Sequence, residues 1–432
     1  MNNTDKVTAL FNTEITRNDI ELMAPAGNFE SLYAAIQGGA NSVYFGIGRL
    51  NMRAKSSVNF TIEDLPNIAK ICQENNLFSY LTINTIIYDA DIEEMHKLID
   101  KAKEANISAI IATDIATIHY ASQKGVEIHA STQLNITNIE AIKFYSQWVD
   151  VAVLARELNL NQVAHITRQI KEQNICGPSG KLVKIEIFAH GALCMAVSGK
   201  CYLSLHETGA SANRGACQQT CRKGYIVTEK ETGHELEIDH EYIMSPKDLC
   251  TVGFLNKIID AGVTVLKIEG RARGPEYVKK VCDIYNNAID SLVSNSYTTA
   301  KIEQWKEELS TVFNRGFWDG YYLGQRMGEW SNVYGSRATQ HKVYIAKVTN
   351  YYSNIGVVEL KVESGELSIG EEVLIIGPTT GVLETPILEI RKENKSCKTA
   401  IKGDLISIPS KSIVRRGDKL YKFIKNEHLH IS

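Results

Sequence analysis

The sequence predicts an α/β fold: a TIM-type (β/α)8 barrel with a cysteine-rich insertion between strands seven and eight, followed by a small all-β barrel domain. Three observations predict it. Eight strand-then-helix units succeed one another in roughly 275 residues, the size and period of such a barrel. Four of the nine cysteines crowd into the 28 residues Cys194–Cys221, inside the seventh connection. Beyond His341 the hydrophobic period changes from helical to alternating. A doubly wound open sheet is the alternative, but it offers no natural stop at eight.

Glu21–Ala24 is the first strand, and Asn28–Gly38 the first helix, with Leu32, Ala35 and Ile36 on one face. Ser42–Phe45 precedes the helix Thr61–Asn75, opened by Thr61 and Asp64 as a capping pair. Phe78–Thr85 with Ile92–Ala105, and Ala109–Thr113 with Ile115–Lys124, are the third and fourth units. Val126–Ala130 with Ile139–Ser146, and Val149–Leu154 with Leu160–Gln173, are the fifth and sixth. After strand seven, Lys184–Phe188, the segment His190–Tyr242 holds the cysteines and a hairpin pairing Tyr225–Val227 with Glu235–Ile238. A helix Leu249–Ile259 leads into strand eight, Val263–Ile268, and its helix Glu276–Leu292. Ala300–Gly335 reads as a helical, aromatic brace. Alternating strands follow at Val343–Val348, Ile355–Val362, Glu372–Ile376, Thr385–Ile390 and Leu405–Ile408. The expected organisation is a catalytic barrel over 1–295 with the insertion at 190–242, a connecting segment over 296–340 and the β domain over 341–432.

With 44% hydrophobic and 22% charged residues among 432, the chain has ample material for a core. No apolar stretch approaches the roughly 20 residues that span a bilayer, and Met1–Asp19 lacks a basic-then-apolar leader pattern. A cytoplasmic protein with no membrane partner is expected. The net charge of −3 advertises no polyanion partner, but Arg391–Lys425 carries eleven Lys and Arg against Glu393, Asp404 and Asp418, a local excess of +8. Such a run is either a solvated face or a footprint for nucleic acid, with Lys395, Arg415 and Arg416 as candidate RNA contacts.

Working residues of a TIM-type barrel sit at the carboxyl ends of its strands. Those ends carry Tyr44, Asn84, Asp114, His129 with Ser131 and Gln133, Arg156, His190, Lys267 and Glu269. Singly, each is a loop residue satisfying a backbone group; together they suggest a pocket for a polar, anionic ligand. His129, Arg156, His190, Lys267 and Glu269 are the candidate catalytic residues. Asn84, Asp114 and Gln133, with Arg271 and Arg273 at a glycine–proline helix start suited to anions, are the candidate substrate contacts.

Cys194, Cys201, Cys217 and Cys221 form C-x6-C-x15-C-x3-C. Structural zinc uses paired short knuckles, and Cys217–Cys221 alone approaches that form. Four thiolates from an irregular loop suit an iron–sulfur cluster, with zinc as the alternative and Cys250 as a substitute ligand. Peptidase chemistry finds no H-E-x-x-H and no G-x-S-x-G; the nearest features are His234-Glu235 with His240, Ser198, and Cys194 close to His190.

The stretch Glu186-Ile-Phe-Ala-His-Gly-Ala-Leu-Cys-Met-Ala-Val-Ser-Gly-Lys-Cys201 resembles the signature of the collagenase-like U-type peptidase family of bacteria, as do Glu21-Leu-Met-Ala-Pro-Ala-Gly27, Ser245-Pro-Lys-Asp-Leu249 and Lys267-Ile-Glu-Gly-Arg271. The resemblance runs across nearly the whole chain. Chain length and the short β-barrel end resemble the tRNA-hydroxylating members more than their longer rRNA-hydroxylating relative. The resemblance implies prephenate-dependent hydroxylation of the tRNA wobble uridine to 5-hydroxyuridine, with tRNA and prephenate as partners. It also implies a 4Fe–4S cluster on Cys194, Cys201, Cys217 and Cys221. Prephenate is a dicarboxylate, which suits a mouth carrying Arg156, Lys267, Arg271 and Arg273. The competing readings are a genuine peptidase and a non-catalytic RNA-binding subunit.

Overall fold

The computed structural model describes residues 15–55, 58–226, 228–233, 244–325, 328–332 and 335–426. The barrel strands are β1 (Glu21–Pro25), β2 (Ser42–Gly46), β3 (Phe78–Ile83), β4 (Ala109–Ala112), β5 (Ile128–Ala130), β6 (Val151–Val153), β7 (Lys184–Ala192) and, after a short strand β8 (Asp248–Cys250), β9 (Val265–Ile268). Each of the first seven pairs in parallel with the next, and β9 pairs in parallel with both β7 and β1, which closes an eight-stranded ring. The strands are near-continuously buried, as a parallel sheet under helices requires.

The barrel helices are α1 (Phe29–Gln37), α2 (Leu65–Glu74), α3 (Ile92–Glu104), α4 (Ile115–Gln123), α5 (Ile139–Tyr145), α6 (Leu160–Glu172) and, beyond a short α7 (Leu203–Thr208) in the insertion, α8 (Leu255–Asp260) and α9 (Pro275–Val293). Asn28, Asp114, Asn138 and Asn159 each cap a first turn with a side-chain oxygen. The Thr61–Asp64 pair forms as expected: Thr61 N–H donates to Asp64 Oδ2 at 2.8 Å. One large core lies between ring and helices, and a separate cluster of Met23, Tyr44, Tyr80, Ala109, Ile111, Val151 and Val265 packs inside the ring.

Three expectations are corrected. Leu249–Ile259 is not one helix: Asp248–Cys250 pairs antiparallel with β7, and the helix begins at Leu255. Ala300–Gly335 is helical only over α10 (Thr299–Ser310); Phe317–Trp318, β10, pairs with β8 and so extends the barrel sheet. The hairpin placed at Tyr225–Val227 and Glu235–Ile238 lies largely outside the described residues, as do His234, Glu235 and His240.

From Gln340 the chain is antiparallel β. Its strands are β11 (Gln340–Tyr352), β12 (Val357–Val362), β13 (Glu366–Ser368), β14 (Glu372–Gly377), β15 (Gly381–Pro386), β16 (Ile390–Lys392), β17 (Lys395–Cys397), β18 (Thr399–Ile401), β19 (Leu405–Pro409) and β20 (Lys419–Lys425). Eight of them form one sheet, and β13 pairs with β18. The expected strand Thr385–Ile390 is instead the end of β15 and the start of β16, and β13, β17, β18 and β20 are additions too short or too charged to show an apolar run. This region packs on the barrel through α1, where Gln37 donates to the Thr380 carbonyl and accepts from Val382 N–H, both at 2.9 Å.

Candidate functional site

The insertion is fastened over the carboxyl ends of the strands. Arg214 donates to Asp91 Oδ2 and to the Ile86 carbonyl, both at 2.5 Å, and stacks on Tyr88 at 4.1 Å. Asn135 Nδ2 reaches the Ser198 carbonyl at 3.2 Å. At Gly199, φ is +76° and a Cβ would collide with Gln133 Oε1, so glycine is required there. The insertion and the strand ends enclose a cavity of about 140 Å3. A larger groove of about 990 Å3, between α2 and α3, contains none of the expected site residues.

The cavity gathers Asn84, Gln133, Arg156, Lys267, Glu269 and Arg271 from the strand ends, and Cys194, Cys201, Cys217 and Cys221 from the insertion. Glu269 accepts from Arg53 at 2.5 and 3.1 Å and from Tyr44 Oη at 3.0 Å. Burial pushes its carboxyl up, but the charge and hydrogen bonds of Arg53, with Arg156 and Arg271 behind, outweigh that and hold it at about 2. Its contribution to stability is therefore complete above the ordinary value of 4.5 and is lost only as pH falls toward 2. It is a fixed anion, not a proton donor near neutrality.

Arg271 donates to Thr82 Oγ1 at 3.1 Å and to Asn51 Oδ1 at 3.0 Å, while its Nε has no partner. Burial lowers it to about 10, so it stays charged. A Cβ on Gly46 would strike its Nη1, which is why the end of β2 is glycine. Arg156 stacks on Phe188, 4.4 Å from the ring centre, with its Nε unpartnered. Lys267 is bound from below by Glu186, Nζ to Oε1 at 2.7 Å, with side-chain exposures of 7% and 0%. Replacing Lys267 by Met should therefore cost about 3–5 kcal/mol in urea unfolding, because Glu186 is left buried without a counter-charge. The double variant Glu186→Leu, Lys267→Met should be less destabilised than either single one.

Four expected residues lie elsewhere. His129 is inside the barrel, stacked on Tyr80 at 4.5 Å, with Nε2 3.3 Å from Glu127 toward the amino-terminal end. His190 is turned outward by a register shift between Phe188 and His190 and packs against Tyr277, Tyr285 and Phe317. Burial and the charge of Arg273 pull it down to about 3, so it is neutral and does not face Cys194 across the cavity. Asp114 accepts from Ala116 N–H and Ile87 N–H, both at 2.9 Å, and serves as a helix cap. Arg273 stacks on Phe313 at 3.6 Å and reaches Asp248 at 4.0 Å, behind the cavity. Arg53 and Glu186 take part without being expected. Arg53 sits in a loop with no pattern to mark it. Glu186 had a readable signal, since a carboxylate in the middle of an apolar strand needs a buried cation.

The four cysteines form one wall. All are free thiols; Cys194 is exposed and the other three are half-buried. The Cys221 thiol is pushed up to about 11, chiefly by burial, and feels the other three. Among the described residues no three His, Cys, Asp or Glu side chains are gathered tightly enough to hold a single metal ion. Four sulfur donors around one cavity do fit a cluster in donor chemistry. Cys250 is buried on β8, away from this wall.

Lys395 lies on the edge hairpin of β16 and β17. Arg415 and Arg416 are exposed on a turn held by Asp418, which accepts from Arg415 N–H at 2.8 Å and Thr380 Oγ1 at 2.5 Å. Thr380 touches Gln37, the last residue of α1, so these arginines sit at the amino-terminal end of the barrel, opposite the cavity.

The sequence pattern of peptidase family U32 matches residues 27–332. The chain belongs to that family. A collagenase of Porphyromonas gingivalis is 60% identical over 410 residues, covering 95% of this U32 chain and 99% of its own. A tRNA hydroxylation protein of Bacillus subtilis is 31% identical over 384 residues, 87% of each chain. A 23S rRNA 5-hydroxycytidine synthase of Escherichia coli is 32% identical over 325 residues, covering 73% of this U32 chain and 47% of its own. No helix among the described residues is long and apolar enough to cross a membrane.

Proposed function

We propose that this chain is an RNA-modifying enzyme that hydroxylates the wobble uridine of tRNA to 5-hydroxyuridine, using prephenate and a 4Fe–4S cluster. The observation that carries the reading is the cavity itself, where cationic Arg156, Lys267 and Arg271 face a wall of four cysteines. Arg156, whose Nε has no protein partner, and Arg271 with its free Nε offer donors to a dicarboxylate. Glu269 and Arg53 hold the rim rigid, and Glu186 keeps Lys267 charged. Cys194, Cys201, Cys217 and Cys221 would hold the cluster, which supplies one-electron or Lewis-acid chemistry beside the ligand. The names of the Bacillus and Escherichia relatives support hydroxylation of RNA. Nucleoside mass spectrometry of tRNA from a deletion strain tests it: 5-hydroxyuridine and its derivatives should disappear. Unchanged levels, in a strain without a parallel hydroxylase, would reject the substrate.

Collagenolysis is the second reading, favoured by the name of the Porphyromonas relative. Against it, the two buried histidines are engaged with Glu127 and with the aromatic face of α9, and neither lines the cavity. Protease-free protein that cleaves gelatin, and loses this with a single-residue variant that keeps its fold, would restore it.

A tRNA is far larger than this mouth, so most of its binding energy should come from phosphate contacts elsewhere. Reversing Lys395, Arg415 and Arg416 to Glu should weaken binding and lower the log–log salt slope by about 0.7–0.9 for each lost contact. Iron content should not change. Wild-type affinity across a salt series would mean that the RNA approaches over the insertion instead.

A further inference from the structure

The cysteine wall is backed by more positive charge than nearby carboxylates balance. Arg222 follows Cys221 and lines the cavity. Its Nη2 donates to the carbonyl of Leu193, the residue before Cys194, at 2.6 Å. Its Nη1 donates to the Pro246 carbonyl at 2.7 Å and to Ser245 Oγ at 3.0 Å. All three acceptors are neutral. Asp248, which is 1% exposed, is already shared by Arg315 at 3.3 Å and Arg273 at 4.0 Å. Among the described residues no carboxylate lies within ion-pairing distance of Arg222. Three guanidiniums around one carboxylate leave positive charge largely withdrawn from water, which is costly unless an anion accompanies it.

We propose that Arg222 is a positioning residue for the four-cysteine set, and that the surplus positive charge around it is the counter-charge of an anionic metal–thiolate group on Cys194, Cys201, Cys217 and Cys221. The inference rests on the cluster reading given above. Two roles follow from two features of the side chain. The fork ties the Leu193 backbone to Arg222 and to Ser245–Pro246, so the first and last cysteines are held from one point at the base of the insertion. The charge favours the more negative form of the group beside it, so it raises the reduction potential and helps to retain the group.

The test compares full-length wild type, Arg222→Lys and Arg222→Met, each purified without oxygen and reconstituted with iron and sulfide. Iron content and midpoint potential are measured, with circular dichroism and unfolding midpoints as controls for the fold. Both variants should lose iron faster than wild type, because neither reproduces the three-way fork. In the Met variant the one-electron reduction equilibrium should fall by at least about tenfold, roughly 59 mV, while Lys stays within about threefold of wild type. Should the Met variant not fold, Arg315→Met, which is not adjacent to any of the four cysteines, should move the potential in the same direction by less. A Met variant that folds, holds wild-type iron and keeps its potential within about threefold overturns the inference and leaves the cluster reading standing. A wild type that retains neither iron nor zinc overturns both.

Discussion

Alanine at Cys194, Cys201, Cys217 or Cys221 should reduce anaerobically purified protein from about four iron atoms per chain to fewer than one, with loss of the brown colour. The effect should be close to all-or-none, because a cluster needs its ligands together and the cavity wall offers no fifth sulfur. Cys250→Ala is the internal control. That thiol lies on β8, in contact with Tyr285 rather than with the wall, and burial pushes it up to about 11. Its variant should keep full iron. Iron lost from Cys250→Ala but kept in Cys194→Ala, the exposed member of the set, would reassign the ligands. A colourless preparation holding about one zinc per chain would assign the set to structural zinc.

The second large effect is expected at Arg156. Its guanidinium rests on Phe188 and has no hydrogen bond to the protein among the described residues, so its donors are available to a ligand. Charge-assisted hydrogen bonds contribute about 1.5–3 kcal/mol each, so removing a bidentate pair with Arg156→Ala should weaken prephenate binding by about 100-fold or more. Thermal stability should change little, since the lost contacts are with the ring face and the solvent side. Arg156→Lys should rescue poorly, because a point charge cannot replace the planar fork. Titration calorimetry decides it: an affinity within about threefold of wild type for Arg156→Ala would place the carboxylate on Arg271 and Lys267 instead.

Local pattern carried most of the barrel. β-Branched runs and amphipathic stretches recur at a fixed period, and Asn28, Asn138, Asn159 and the Thr61–Asp64 pair mark helix starts by hydrogen bonds within three residues. Reading failed where pairing is non-local. Asp248–Cys250 is a strand because β7 and β10 lie on either side of it, and no periodicity in eleven residues announces that. The same limit applies to β17 and β18, three residues each, which exist through their partners.

For the site, the sequence by itself determined the inventory: polar residues at the strand ends and four cysteines within one connection. Their chemistry follows from residue type and order along a barrel whose working end is known in advance. Tertiary structure alone decided the roles. A register shift sent His190 outward, Glu127 took His129 toward the opposite end, and Asp114 spent its oxygens on backbone N–H groups. It also brought Arg53 to Glu269 and Glu186 to Lys267 across 216 and 81 residues of chain. The reason is physical: a buried charge is governed by the few groups within about 4–6 Å of it, and in a closed barrel those neighbours come from strands and loops far apart in sequence.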